Sequence, residues 1–164
     1  MKFIPEHLYH IYNQGNNRQT IYHREDDYLA FLNLTGNLIL PHAEIIAYCL
    51  MPNHFHFLIY SDQRSNIIVK QGGNNLDVVT NGFRKLLSGY ARIINSKVNR
   101  TGSLFRQKTK SKNLTEAVTI ATNNLNTQDY YFNCFHYIHQ NPLKAKLVQK
   151  LEDWPYSSYR NYAG

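Results

Sequence analysis

Apolar and polar residues alternate along Leu8-Tyr9-His10-Ile11-Tyr12-Asn13, the two-residue period of a half-buried strand. The run Asn13-Gln14-Gly15-Asn16-Asn17-Arg18 then predicts a polar turn, and Thr20-Ile21-Tyr22 a short extended continuation. The period changes after Asp26 and Asp27. Tyr28, Phe31, Leu32, Leu34, Leu38 and Ile39 recur at helical spacing, with an aspartate as cap and Pro41 as stop. Glu44 to Leu50 and His54 to Tyr60 read as two further strands. Met51-Pro52-Asn53 between them is too short for a crossover, so the two pair as an antiparallel hairpin. Residues 61–75 read as a polar loop. Leu76 to Val98 reads as a long helix with the apolar stripe Phe83, Leu86, Leu87, Tyr90, Ile94 and Val98, weakened at Gly82 and Gly89. A basic loop from Leu104 leads into a fourth strand near Asn113. Residues 115–128 read as a surface insertion with some helix, and a last helix runs from Tyr130 to Gln140, ended by Pro142. Strand, helix, strand, strand, helix, strand predicts an α+β fold. It is a ferredoxin-like (RRM-like) sandwich: an antiparallel sheet with helices on one face, plus an additional helix carrying Tyr137. The 164 residues are read as a single domain, 1–164, with insertions at about 61–75 and 113–128.

The third strand carries the first chemical signal. In Met51-Pro52-Asn53-His54-Phe55-His56-Phe57, His54 and His56 fall on one face and Phe55 and Phe57 on the other. Two imidazoles about 7 Å apart along a strand converge readily on one ion. Two histidines alone also suit an ordinary sheet surface, and a zinc pair. Zinc is the weaker choice because neither motif offers a thiolate or a carboxylate. The helix ending at Pro142 adds a third donor. Tyr137 and Asn141 lie four residues apart and share a helix face. Two imidazoles and the Asn141 amide oxygen are neutral ligands that leave positions open for phosphate oxygens, which suits Mg²⁺ or Mn²⁺. Tyr130 is the rival tyrosine on that helix, but its own i+4 neighbour is Cys134, which offers no amide.

Charge sharpens the picture. The net charge is +7, yet nine of the eighteen Lys and Arg and none of the eleven Asp and Glu lie between Arg84 and Lys112. The rest of the chain is slightly acidic. A surplus held in one segment favours a polyanion, over the alternative of a solvated basic face. Arg84, Arg92, Arg106 and Lys108 are the candidate phosphate contacts, and Asn13 and Arg18 of the first loop are candidate base contacts. Two cysteines, Cys49 and Cys134, are too few for a disulfide framework. No signal peptide or membrane span is visible, so the expected setting is cytoplasmic.

Taken in order, NQGNNRQTIY, MPNHFHFLIY, GSLFRQK, YIHQNP and WPYSSYRNY resemble the REP-associated tyrosine transposases, a branch of the single-tyrosine HUH transposases. The resemblance implies His54 and His56 as metal ligands, Asn141 as the third ligand and Tyr137 as nucleophile. It implies single-stranded DNA with hairpin structure as substrate. The implied reaction is transesterification through a 5′-phosphotyrosine and a free 3′-OH, with no need of an ATP motif. Partners would be hairpin DNA and a second copy of the chain, with the Tyr137 helix packing either in cis or on that copy. Two other readings use the same residues: a ferredoxin-like nucleic-acid binder without catalysis, and a small rolling-circle replication initiator.

Overall fold

The computed structural model describes residues 1–121 and 127–163. Four strands form one antiparallel sheet: β1 (His7–Gln14), β2 (Glu44–Met51), β3 (His54–Ser61) and a fourth strand (Lys110–Asn113) in the order β2-β3-β1-fourth. Two helices connect them, α1 (Glu25–Leu38) and α2 (Val78–Lys97). This is the split βαβ pattern expected from the sequence.

The alternation of β3 builds the core. Phe55, Phe57 and Ile59 are fully buried on the face that also carries Tyr9 and Ile11 of β1. Phe31 of α1 and Phe83, Leu86, Tyr90 and Ile94 of α2 close over them. Each such side chain contributes about 1.5–3 kcal/mol of transfer free energy. The opposite face is smaller in apolar content. Ala47, Cys49, Met51 and Leu58 meet Leu114 and Ile138 there. Ile138 belongs to the last helix, so α1 and α2 cover one face and the Tyr137 helix the other.

Several sequence readings shift. Residues 61–75 are not all loop: β4 (Ile68–Gln71) and β5 (Asn74–Asp77) pair as a separate hairpin. Gly72 and Gly73 both have positive φ, as a two-residue hairpin loop demands. The fourth sheet strand therefore becomes β6. β5 delays the start of α2 from Leu76 to Val78, where Asp77 caps the helix by accepting from Thr80 N at 2.7 Å. Asp27 is not the cap of α1 but sits one turn inside, accepting from His23 N and Arg24 N at 2.8 and 3.0 Å. Within 115–128, α3 (Leu114–Ala121) is helical, and residues 122–126 of that insertion lie outside the described residues.

The last helix, α4 (Thr127–Lys144), does not stop at Gln140 but runs through Pro142. Pro142 has no N–H for the Ile138 carbonyl. The Asn141 side chain supplies one instead, its Nδ2 donating to Ile138 O at 3.2 Å and to Tyr137 O at 2.8 Å. The helix ends two residues later in a Schellman turn. Lys146 takes positive φ, its N–H reaches Leu143 O, and the Leu147 N–H reaches Pro142 O.

The C-terminal segment closes the β2 edge. Leu50 N donates to Tyr156 O at 2.8 Å, Tyr48 N to Ser158 Oγ at 2.9 Å, and Trp154 Nε1 to Leu50 O at 3.0 Å. Among the described residues no helix is long and apolar enough to cross a membrane.

Candidate active site

Strand register brings the site together. Tyr12 of β1 lies opposite His56, Gln14 opposite His54, and Lys112 of β6 opposite His10. Directly paired residues share a face, so His10, Tyr12, His54, His56, Lys110 and Lys112 all project toward α4. That helix turns Tyr130, Cys134, Tyr137 and Ile138 to the sheet, the spacing of one helical stripe. Between sheet and helix lies a cleft of about 430 Å³ lined by His10, Tyr12, His56, Lys112, Tyr130 and Tyr137, among others.

Tyr137 meets His56 there, edge to face, with ring centroids 5.6 Å apart, and is 43% exposed. Tyr130 lines the same cleft but pairs with Lys112, whose Nζ stands 5.0 Å from the ring centre. Tyr137 has its own cation, Lys144 Nζ, 5.5 Å from its ring centre. Both halves of the cleft come from one chain: α4 packs on its own sheet.

His54 and His56 lie 5.0 Å apart with perpendicular rings. Each has its Nδ1 engaged: His54 with Asn53 Oδ1 at 2.6 Å, His56 with His10 Nε2 at 2.9 Å. Their Nε2 atoms carry no hydrogen bond among the described residues. Burial pushes the His54 imidazole below its ordinary range. Burial, with His10 and His54 beside it, pushes His56 down to about 3, and burial plus Lys112 pushes His10 down to about 4. All three rings are therefore neutral near pH 7, the form that ligates a metal. No group of three or more His, Cys, Asp or Glu among the described residues converges on one point. A site here needs a donor of another type, and the Asn141 amide is one. Its Nδ2 faces the helix carbonyls, which leaves Oδ1 as the free atom. Neither His54 nor Asn141 lines the cleft: His54 adjoins His56, and Asn141 lies one helical turn past Tyr137. Two neutral imidazoles and an amide oxygen, if brought to one divalent ion, would be an uncharged donor set that leaves positions open for oxygen ligands.

The candidate DNA contacts divide. Arg84, Arg106 and Lys108 line a second groove, about 610 Å³, between α2 and residues 103–109, on the far face of the sheet. Arg92 and Arg18 are exposed but outside that groove. Asn13 lines the same groove from β1, but is only 4% exposed. Its Nδ2 donates to Arg106 O and Thr109 Oγ1, and its Oδ1 accepts from Gln14 N. The amide that loop polarity offered to a base is spent on fastening the basic loop to β1.

Compared with known structures, the chain is similar to a REP-associated tyrosine transposase bound to a REP hairpin. The TM-score is 0.63 and the identity 16%, over 98% of this chain and 81% of the other. The two chains share their fold. No protein-family model and no curated protein matches the sequence. The shared fold agrees with the motif resemblance.

Sequence reasoning missed His10 and Lys112. Their signal was parity. In β1, His10 and Tyr12 stand on the polar side of Tyr9 and Ile11, and an antiparallel partner of the His54–His56 strand must present that side to the histidines.

Proposed function

We propose that the chain is a metal-dependent enzyme that nicks and rejoins single-stranded DNA at hairpin-bearing sites. The observation that carries this reading is the meeting of Tyr137 with His56 in one cleft, rings 5.6 Å apart, on a transposase fold. His54 and His56 through Nε2, and Asn141 through Oδ1, would hold Mg²⁺ or Mn²⁺. Bound there, the ion supplies Lewis acidity to a phosphodiester. The Tyr137 oxygen attacks phosphorus in line and the P–O3′ bond breaks, leaving a 5′-phosphotyrosine and a 3′-OH. The proton lost by the phenol is balanced by the one gained at O3′. A 3′-OH from another strand reverses the step, so the bond energy is kept and no nucleotide is consumed. Arg84, Arg106 and Lys108 would hold phosphates of the same substrate, and on DNA the protein would sit with the nucleoid.

The test is a covalent adduct. Hairpin oligonucleotides bearing single-stranded flanks, incubated with the protein and Mn²⁺ or Mg²⁺, give a protein–DNA species on a denaturing gel. Tyr137→Phe abolishes it, and His56→Ala lowers it by at least 100-fold. An adduct that survives Tyr137→Phe displaces Tyr137 as nucleophile. Tight binding with no adduct under any metal leaves the non-catalytic binder as the better reading.

A further inference from the structure

We infer that His10 is a positioning residue: its Nε2 accepts a hydrogen bond from the His56 Nδ1–H and so leaves the His56 Nε2 lone pair free for the metal. This rests on the proposed function, but its test does not depend on catalysis.

The inference follows from proton counting at two neighbouring histidines. His54 Nδ1 lies 2.6 Å from Asn53 Oδ1. The orientation of that amide is fixed at its other end, where Asn53 Nδ2 donates to Arg18 O at 3.2 Å. Asn53 Oδ1 can only accept, so His54 carries its proton on Nδ1 and offers Nε2 as a lone pair. His56 is in the same position except for its partner. Its Nδ1 lies 2.9 Å from His10 Nε2, an atom that donates or accepts according to tautomer. If His10 donates, neutral His56 must hold its one proton on Nε2, and neither ring nitrogen is open to an ion. If His10 accepts, His56 matches His54. Only the second arrangement gives two open nitrogens side by side.

The fold holds His10 to that task. Its ring lies edge to edge with His56 and nearly coplanar with it, centroids 5.1 Å apart at 24°, as a bond between in-plane ring nitrogens requires; it leans on Tyr12 at 4.9 Å and meets Tyr137 edge-on at 6.1 Å. The residue across from it on β6 is Lys112, which has no acceptor to offer His56. A direct ligand role for His10 is not favoured, since no three His, Cys, Asp or Glu side chains among the described residues converge. An outer partner that orients a ligating imidazole is a recurrent device in metal sites, and removing one weakens the metal by roughly 10–100-fold.

The measurement is a long-range proton–nitrogen spectrum of the imidazoles in the ¹⁵N-labelled full chain, without metal at pH 7.5. His56 is expected to show a protonated Nδ1 and a bare Nε2, as is His54. A His56 proton on Nε2 overturns the inference outright. The second arm uses His10→Gln, whose amide oxygen can still accept, and His10→Leu, which cannot. Mn²⁺ affinity, read from broadening of the His54 and His56 signals, is expected to fall roughly 10–100-fold in His10→Leu and to stay within about 3-fold in His10→Gln. Wild-type affinity in both variants, or a His10 ring bound to Mn²⁺ directly, overturns it. An absent DNA adduct alongside the expected tautomer and Mn²⁺ binding counts against the proposed activity and leaves the role of His10 standing.

Discussion

Asp27 shows how one residue ties two helices. It is 1% exposed and accepts from His23 N, Arg24 N and, at 2.6 Å, Lys97 Nζ at the far end of α2. Burial raises its pKa, but the Lys97 ammonium and the two backbone donors outweigh this and hold the carboxyl below its ordinary value. The unfolded chain therefore takes up this proton at a higher pH than the native one. The stability so linked is fully present above about pH 4 and is lost as pH falls through the native value. Asp27→Asn is expected to cost roughly 1–3 kcal/mol at pH 7 by urea denaturation, and to flatten the loss of stability below pH 4. An unchanged acid limb would remove Asp27 as its source. At this scale the sequence was legible where spacing sets placement, as with His54 and His56 on one strand face or Tyr137 and Asn141 one turn apart on α4. It was silent on His10, a lone strand histidine whose partner is 46 residues away. It did not foresee that Asn13 is buried, because an amide in a polar loop looks the same whether it faces solvent or fastens the loop.

At the scale of elements, two glycines of α2 behave oppositely, although the sequence marks both as weak points. A Cβ at Gly82 would collide with the Leu38 carbonyl oxygen and press Ile39, because α2 crosses the end of α1 there without space for a side chain. At Gly89 a Cβ would meet nothing within 4 Å. Gly82→Ala is expected to destabilise by roughly 1–3 kcal/mol and Gly89→Ala to stabilise by about 0.4–1 kcal/mol, both read from thermal melts. Equal effects at the two positions would refute the close approach. Element types were legible wherever one period ran for six residues or more. The β4–β5 hairpin was not, since four-residue strands carry too little alternation to register. Pro142 was read as a stop because the rule concerns the lost backbone N–H, and here a neighbouring side chain replaces it.

For the whole molecule, the basic segment is no uniform coat. Lys97 is neutralised by Asp26 and Asp27. Arg84, Arg106 and Lys108 line the groove on the α2 face, while Lys110 and Lys112 of β6 point to the Tyr137 face. DNA held in both places would pass over the β6 edge. Combining Arg84→Ala with Lys108→Ala is expected to weaken hairpin binding and to lower the slope of log affinity against log salt by about 0.7–0.9 for each phosphate left without its cation. Filter binding at several salt concentrations measures it. An unchanged slope would move the DNA away from the groove.

The strap over β2 has a consequence in time rather than in energy. Ser158, which accepts from Tyr48 N, is made 110 residues after it. At ribosomal rates of 5–20 residues per second, that is a delay of roughly 5–20 s. Throughout it the nascent chain carries β2 and β3 with the outer edge of β2 uncapped, an invitation to pair with another chain. Chains cut off before Trp154 keep that edge open for good, and they are expected to aggregate during expression while the full chain stays dispersed.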